Sequence, residues 1–346
     1  MKEKKIKFIY WFAYYNLNSP SVRYRAKYPL EYFQKKYGID YYLIIPGYSL
    51  NKIVRFIIAF FSALISPKKD SIIVIQRVNS NFIYSNLLKL LVSIRKQNSI
   101  YDLDDADYLE NDSKTIYYFA KKCNTISAGS KRIADHLSIY NSRILHTTSP
   151  IVDLNIVKNR KSEVFTVGWI GDFGGEHKSS LISFVFPALK ELDFNVKLKI
   201  LGVNKQSDLE FINEYFNNTE NIQIEIPTNI DWNNETSIQN MITTFDVGIA
   251  TLIDSEIHKS KSGIKAKQYM NNGVPVLSTK LPENNTVIID GKNGYFCSTR
   301  SEFKQRLTEF HEMNQAEYRT YSINARESIK NFNHEKYLSV FKKTKR

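Results

Sequence analysis

Short apolar runs alternate with longer amphipathic segments along the whole chain. In the first half, four apolar runs predict buried strands: Ile6–Phe12, Tyr41–Ile45, Ser71–Ile75 and Ser99–Leu103. The segments between them predict helices: Val22–Lys36, Ile53–Ile65 and Asn81–Ile94. Strands that are apolar throughout and separated by helices indicate a parallel sheet with both faces covered.

The same alternation restarts after a polar, basic linker at Val157–Glu163. The predicted strands here are Phe165–Ile170, Val196–Leu201, Ile222–Ile226, Val247–Leu252 and Val274–Ser278. The predicted helices are Ser180–Leu192, Leu209–Phe216, Glu235–Thr244 and Ile264–Asn271. We therefore predict an α/β protein of two doubly wound, Rossmann-like domains, residues 1–156 and 164–329, that face each other across a cleft. The pattern of the tail, Glu317–Lys345, predicts helix, and the end of the tail at about 330–346 could pack back on the first domain.

Composition and charge narrow the class of protein. A chain of 346 residues suits two hydrophobic cores better than one. Two distant cysteines, Cys123 and Cys297, form neither a disulfide framework nor a metal-ligand spacing, which points to a reducing, cytoplasmic compartment. The net charge of +13 favours anionic partners, but no nucleic-acid module accompanies it, so no nucleic acid is expected among them.

Two segments have features of sequences that enter or lie on a membrane. Met1–Tyr15 begins like a signal peptide, but Lys7 interrupts its apolar run and no small-residue cleavage site follows, so a buried strand is favoured. Ile53–Ile65 is apolar, lies among basic residues and is shorter than the roughly 20 residues of a spanning helix. A buried helix is favoured there over one that lies in a membrane surface. The basic flanking residues are Lys52, Arg55, Lys68 and Lys69.

A candidate anion site precedes the predicted helix at Ile264–Asn271. Gly263 allows close approach of the backbone to a ligand at a helix start. Lys261 and Lys265 are four residues apart, so we expect them to share a helix-proximal face and to hold a diphosphate. Gln268, three residues after Lys265, could bind ribose or sugar hydroxyls.

A glycine-rich turn, Gly168–Gly175, follows the strand at Phe165–Ile170. Its backbone amides, near Gly171, could hold phosphate oxygens, although an ordinary turn would have the same composition. The turn lacks the spacings of dinucleotide and ATP sites. Lys178 is a second phosphate candidate, and His177 and His258 could approach the same ligand.

The first half carries charged candidates at the ends of its strands. Asp102, Asp104 and Asp105 could bind a metal, act as a base or contact a substrate, or could simply cap a helix. Arg23 and Arg25 could bind a substrate phosphate, or could be surface charge. We expect no metal site, since the histidines show no metal-ligand spacing.

Several of these motifs together resemble the retaining group 1 (family 4) glycosyltransferases of the GT-B class, in particular a bacterial polysaccharide-assembly branch. The strongest part is Lys261-Ser262-Gly263-Ile264-Lys265, continued by Gln268-Tyr269-Met270 and Gly273-Val274-Pro275-Val276. Further parts are Gly168-Trp169-Ile170-Gly171, Trp232, Asn284-Asn285 and Asp290-Gly291-Lys292-Asn293-Gly294. In the first half they are Ser21-Val22-Arg23-Tyr24-Arg25, Gln76-Arg77 and Tyr101-Asp102-Leu103-Asp104-Asp105.

The resemblance implies transfer of a sugar from a nucleotide-sugar donor to a glycan or lipid-linked acceptor in surface polysaccharide biosynthesis. It implies retention of anomeric configuration and no metal or other cofactor. The catalytic candidates are Lys265, Lys261 and Asp105. The donor-binding candidates are Gly171, Lys178, Gln268, Asn284 and Asn285. The acceptor-binding candidates are Arg23, Arg25 and Asp104.

The chain also departs from the family pattern. Many members carry two glutamates, one for the sugar and one for the ribose, where this chain has Ser260 and Gln268, and the usual glutamate after the donor loop is Thr286. Glu256 could compensate for the first. Two alternatives therefore stay open, a nucleotide-sugar epimerase of similar fold and a binding subunit without activity. The net charge of +13, together with the basic-flanked apolar run at Ile53–Ile65, further suggests peripheral, salt-sensitive association of the first domain with the inner face of the plasma membrane.

Overall fold

The computed structural model describes residues 6–67, 70–80, 82–110 and 113–343. They form two compact units. The first unit contains the described residues up to Val152, together with Ser260–Ser262 and the residues from Phe332 onward. The second unit contains Asp153–Lys259 and Gly263–Asn331.

The first unit is built on a sheet of six parallel strands in the order β2-β1-β3-β4-β5-β6. The strands are β1 Phe8–Ala13, β2 Asp40–Ile44, β3 Ser71–Gln76, β4 Ser99–Leu103, β5 Thr125–Ala128 and β6 Ile144–His146. Its helices are α1 Pro20–Val22, α2 Tyr28–Tyr37, α3 Leu50–Ile65, α4 Phe82–Arg95, α5 Ser113–Lys122 and α6 Lys131–Leu137. A π-helical turn, Arg23–Lys27, joins α1 to α2, and short 3₁₀ turns lie at Lys96–Asn98 and Asp107–Leu109.

Alternate residues of β1 supply two separate cores, because successive side chains of a strand point to opposite faces. Tyr10 and Phe12 pack in one core with buried residues of α3, α4, α5 and α6. Ile9 and Trp11 pack in the other, with buried residues of α1 and α2. Burial on both faces explains why β1 is apolar at every position.

The second unit repeats this architecture, with strand order β12-β11-β10-β7-β8-β9. The strands are β7 Phe165–Ile170, β8 Val196–Leu201, β9 Ile222–Glu225, β10 Val247–Ile249, β11 Val276–Ser278 and β12 Gly294–Phe296. The helices are α7 Gly175–Ser180, α8 Phe186–Lys190, α9 Gln206–Phe216, α10 Glu235–Ile242, α11 Glu256–Lys259, α12 Ile264–Asn271, α13 Arg300–Glu312 and α14 Gln315–Ile329. A π-helical turn, Leu181–Val185, joins α7 to α8, and a 3₁₀ turn lies at Asn284–Thr286.

Strand β7 pairs with β8 on one side and with β10 on the other, so the order of the strands reverses here. The loops that follow β7 and β10 consequently leave the sheet next to each other. In doubly wound sheets, ligands bind at this kind of switch point, outside the carboxyl ends of the strands.

The tail forms two helices where one was predicted. Helix α14 belongs to the second unit, whereas α15, His334–Lys343, belongs to the first. Tyr337, Leu338 and Phe341 of α15 fill the core around Trp11 and α2. The end of the predicted tail segment, residues 344–346, lies outside the described residues.

The predicted doubly wound α/β class is confirmed, and four elements have the predicted bounds: β4, β7, β8 and α12. Strands β5, β6 and β12, each of three or four residues, were missed, whereas the equally short β10 and β11 lie within longer predicted runs. Such lengths are too short to show a periodicity.

Helix α3 differs from its prediction as a buried helix. It buries Ala59, Phe60 and Ala63, but Phe61 and Ile65 are 58% and 84% exposed. The basic pair Lys68 and Lys69 of the predicted flank lies outside the described residues. None of the helices in the described part of the chain has the length and apolar character needed to cross a bilayer.

Candidate functional site

The loop after β7 is held in place by the end of β8. The amide of Gly171 donates to the carbonyl of Leu201 at 2.9 Å, and the amide of Phe173 donates to that of Gly202 at 3.2 Å. These two amides are therefore engaged within the sheet edge, so the amide of Gly171 itself is not available to a phosphate.

Gly171 instead provides space for Lys265. A Cβ atom at position 171 would lie 2.7 Å from Cε of Lys265, too close for any other residue without a shift. The Lys265 ammonium lies 5.6 Å from the ring centroid of buried Trp169 and 3.3 Å from Nε2 of His177. A cation from α12 thus reaches the loop after β7, at the switch point of the second sheet.

Gly263 fixes where α12 begins. It has φ +67°, a left-handed conformation that favours glycine, and a Cβ there would lie 2.8 Å from Oδ1 of Asn284. Because the helix starts at Ile264, Lys261 precedes the turn and is not on the helix. The prediction that Lys261 and Lys265 share one helix face is therefore wrong.

Lys261 is grouped with the first unit, where it meets Asp105. Its ammonium lies 2.9 Å from Oδ1 of Asp105. Burial opposes the charge of Lys261, but the Asp105 carboxylate outweighs it, and the pKa of Lys261 is raised. Two of the three catalytic candidates, Lys261 and Asp105, thus form an ion pair with each other.

Arg77 lies at the centre of the acidic cluster after β4. Its guanidinium pairs with Asp105 at 2.8 Å and with Asp107, and it donates to Oγ of Ser21 at 3.1 Å. Burial would lower the pKa of Arg77, but the carboxylates of Asp105 and Asp107 raise it well above its usual value. The sequence analysis named Arg77 only within the Gln76-Arg77 motif and gave it no role. Its position directly after β3 could have indicated that it lies at the edge of the sheet.

Arg25 is a structural residue in this fold. Both Arg25 and Asp102 are fully buried, and the guanidinium donates to both carboxylate oxygens of Asp102, to the Thr147 carbonyl and to Oγ of Ser127. A side chain used in this way cannot reach an acceptor, which corrects its predicted role. Arg23 is also buried, at 2% exposure, so it is not the surface charge of the alternative interpretation.

Asp104 is buried and accepts a hydrogen bond from Oγ of Ser21 at 2.6 Å. Burial raises the pKa of Asp104 even though Arg77 and Arg25 favour its charged form. Its carboxylate belongs to the same network as Arg77. Within the described residues, no cluster of three or more His, Cys, Asp or Glu side chains is arranged to hold a metal ion.

Glu176 and His258 form a pair that sequence reasoning missed. Glu176 follows β7 and His258 follows β10, and Oε2 of Glu176 lies 3.0 Å from Nε2 of His258. The other ring nitrogen, Nδ1, lies 2.9 Å from the carbonyl oxygen of Ile253. Both ring nitrogens of His258 therefore face oxygen atoms that accept hydrogen bonds. The pair joins the two loops of the switch point, and Glu176 keeps 41% of its side chain exposed.

Lys178 is engaged elsewhere in the second unit. Its ammonium lies 2.7 Å from Oδ1 of Asp208 on α9, and 4.1 Å from the ring centroid of Phe211. The Asp208 carboxylate neutralises the charge with which Lys178 was expected to bind phosphate.

The remaining donor candidates lie on or beside α12. Asn284 is buried and donates from Nδ2 to Oγ of Ser278 at 2.7 Å, so its amide fixes the loop after β11. Asn285, next along the chain, is exposed. Gln268 lies on α12 and is 7% exposed. Glu283, which precedes Asn284, is a buried carboxylate that the sequence did not single out.

Residues 164–312 match the family model described as "Glycosyl transferases group 1". The matched segment contains the loop after β7, α12 and the loop after β11. The match confirms the family resemblance predicted from the motifs in this segment. No curated protein matches the chain by sequence.

Solved glycosyltransferase structures resemble the chain over most of its length. HepE from Anabaena, in complex with UDP-glucose, is 12% identical, covers 97% of this chain and 98% of its own, and has a TM-score of 0.63. The lipopolysaccharide outer core galactosyltransferase WaaB, in its apo form, has 12% identity, the same coverages and a TM-score of 0.64.

TarM from S. aureus is a longer protein whose structure is similar to this chain. It is 16% identical with a TM-score of 0.59, and the match covers 79% of this chain but only 55% of TarM. At these identities the comparisons establish the fold, which is GT-B.

Proposed function

We propose that this chain, whose residues 164–312 form a group 1 glycosyltransferase domain, transfers a sugar from a nucleotide-sugar donor to an acceptor hydroxyl. The observation that supports this most directly is the position of Lys265. Its ammonium lies at the switch point of the second sheet, where doubly wound domains bind nucleotides.

The proposed task of Lys265 is to stabilise the departing diphosphate. Sugar transfer breaks the bond between the anomeric carbon and the diphosphate oxygen, so negative charge develops on the leaving group. A preorganised ammonium stabilises that charge without reorganising at the moment of reaction. The positive end of the α12 helix dipole lies at Ile264, next to Lys265 in the chain, and adds to the stabilisation of the diphosphate.

Gln268, Asn285 and Glu176 are proposed to orient the donor. The Gln268 amide can both donate to and accept from ribose hydroxyls. The exposed Asn285 is available to the donor from the loop after β11. The Glu176 carboxylate, anchored by His258, can accept hydrogen bonds from sugar hydroxyls, which supplies a group that Ser260 lacks.

We further propose that the reaction retains the anomeric configuration and needs neither a metal nor another cofactor. The nucleotide half has no Asp-x-Asp sequence, and the charge on the diphosphate is offset by Lys265. The acceptor is a glycan or a lipid-linked glycan of a surface polysaccharide, and the enzyme acts in the cytoplasm. The resemblance to WaaB, whose product belongs to lipopolysaccharide, is consistent with such an acceptor.

The test begins with a thermal-shift panel of nucleotide sugars, since a ligand that binds the native state raises the melting temperature. UDP-sugars come first, because UDP-glucose occupies the HepE structure. The products of the stabilising donor are then identified. Free nucleoside diphosphate together with a glycosylated acceptor supports the proposal. A new nucleotide sugar would make the chain an epimerase, and tight binding with no turnover would make it a binding subunit.

A further inference from the structure

Helix α3 carries an apolar stripe that faces solvent. The exposed residues recur every three or four positions, which places them on one side of the helix. They are Leu50, Ile53, Val54, Ile57, Ile58, Phe61 and Ile65. The opposite side contributes Ala59, Phe60 and Ala63 to the core, so α3 is apolar on two faces of which the fold covers one.

Helix α4 lies beside α3 and carries exposed apolar side chains of its own. The Phe56 ring of α3 lies 5.2 Å from the Tyr84 ring of α4. Helix α4 buries Leu88, Leu91 and Val92 and exposes four large apolar side chains: Phe82, Ile83, Leu90 and Ile94. We call the exposed apolar residues of these two helices the α3–α4 surface. It holds more than half of the exposed large apolar side chains among the described residues.

Single exposed apolar residues are common on proteins, whereas a contiguous group of this kind marks a surface that binds something. None of its members belongs to the candidate catalytic site. The question is therefore which partner covers it.

The charge of the surrounding sequence indicates which kind of partner covers the α3–α4 surface. From Tyr41 to Tyr101 there is one acidic residue, Asp70, and it pairs with Lys7 at 3.4 Å. The same stretch has eight basic residues: Lys52, Arg55, Lys68, Lys69, Arg77, Lys89, Arg95 and Lys96. Lys52, Arg55 and Lys96 are exposed on or directly after the two helices. An exposed apolar surface on helices that carry exposed basic residues and no acidic ones complements an anionic lipid leaflet.

A second copy of the chain fits this surface less well. Face-to-face association would bring the positive charges of the two helices of each copy together, and like charges at an interface oppose binding. Helix α3 has 16 residues, or about 24 Å at 1.5 Å per residue, which suits a helix lying along a membrane rather than across it.

We propose that the α3–α4 surface inserts into the interface of an anionic bilayer, with both helices parallel to the membrane plane. The apolar side chains enter the region between headgroups and acyl chains, and the basic residues contact lipid phosphates. Binding consequently has an apolar part that survives high salt, in contrast to the salt-released association expected from the sequence.

The experiment measures co-sedimentation of the full chain with vesicles of phosphatidylglycerol and phosphatidylcholine in equal amounts. Wild type should bind and should remain partly bound at high salt. The double variant Phe61→Glu/Ile65→Glu should lower the vesicle partition coefficient by at least about tenfold, because two charges enter an apolar interface. Both positions are exposed, so its melting temperature should equal that of wild type.

The matched control is Ile323→Glu, the same kind of change at an exposed position of α14, which should leave vesicle binding unchanged. Equal binding by wild type and the double variant would overturn the proposal. So would a wild-type dimer in sedimentation velocity that the double variant converts to monomer, since a second copy would then cover the surface. Nucleotide-sugar binding is measured without vesicles, so failure here leaves the test of the proposed function intact.

Discussion

The ammonium nitrogen of Lys265 lies 3.3 Å from Nε2 of His177. A lysine ammonium can only donate, so His177 accepts at Nε2 and carries its proton on Nδ1. His177 comes from the first turn of α7 and Lys265 from the first turn of α12. The contact therefore holds the cation between two helix starts, and it gives the proposed diphosphate site a fixed geometry before any ligand binds.

Lys265→Ala should lower kcat/KM with the nucleotide-sugar donor. Loss of one preorganised electrostatic group costs about 2–4 kcal/mol of transition-state stabilisation. Steady-state kinetics of the variant measure this directly. Lys304→Ala removes a lysine that is 45% exposed on α13 and should leave kcat/KM unchanged. Equal kcat/KM for Lys265→Ala and wild type would remove Lys265 from the site.

Catalysis should persist after treatment with a chelator. We expect Lys265, rather than a divalent cation, to offset the charge of the leaving diphosphate. Activity measured before and after extensive dialysis against chelator should agree, and added Mg²⁺ should give no increase. Loss on chelation with recovery on Mg²⁺ or Mn²⁺ would contradict metal independence.

Arg25→Met should destabilise the protein rather than weaken acceptor binding. The change leaves the Asp102 carboxylate buried without its partner, which typically costs about 3–5 kcal/mol. Urea unfolding monitored by circular dichroism measures the loss. The double variant Arg25→Met/Asp102→Leu should recover much of it, because no buried charge remains. A single variant with wild-type stability but a raised acceptor KM would restore Arg25 to the acceptor site.

His334 should make the protein less stable in mild acid. Burial lowers the pKa of His334 to about 4 in the folded chain. The centroid of its ring lies 4.9 Å from that of Tyr32. The unfolded chain has a pKa of about 6.5 for histidine, so it takes up the proton first as the pH falls. The stabilisation is complete above about pH 6.5 and declines by up to about 3 kcal/mol toward pH 4.

The measurement is the free energy of unfolding of wild type and His334→Phe between pH 7 and pH 4. The difference between the two proteins isolates this residue from the carboxylates that titrate in the same range. The stability of wild type should fall more steeply with acid than that of the variant. Parallel curves would show that protonation of His334 does not depend on folding.

The sequence by itself determined the two α/β units, because apolar runs and amphipathic segments can be recognised from the local sequence without knowing which elements pack against them. It also pointed to two residues of the proposed donor site. Gly263 and Lys265 lie close in sequence, and a glycine before a helix with a nearby lysine has a local physical meaning. The strand bounds at Phe165–Ile170 and Val196–Leu201 show how far such patterns extend.

Only the tertiary structure decided which charges are used inside the fold. Arg25 and Asp102 are 77 residues apart and Lys178 and Asp208 are 30 apart, and nothing local distinguishes them from side chains that contact a substrate. Glu176 and His258 meet because β7 and β10 are adjacent in the sheet. Helix α3 is apolar around most of its circumference, so periodicity could not tell which face the core covers. Burial depends on the elements that pack against a residue, and a linear pattern does not contain that information.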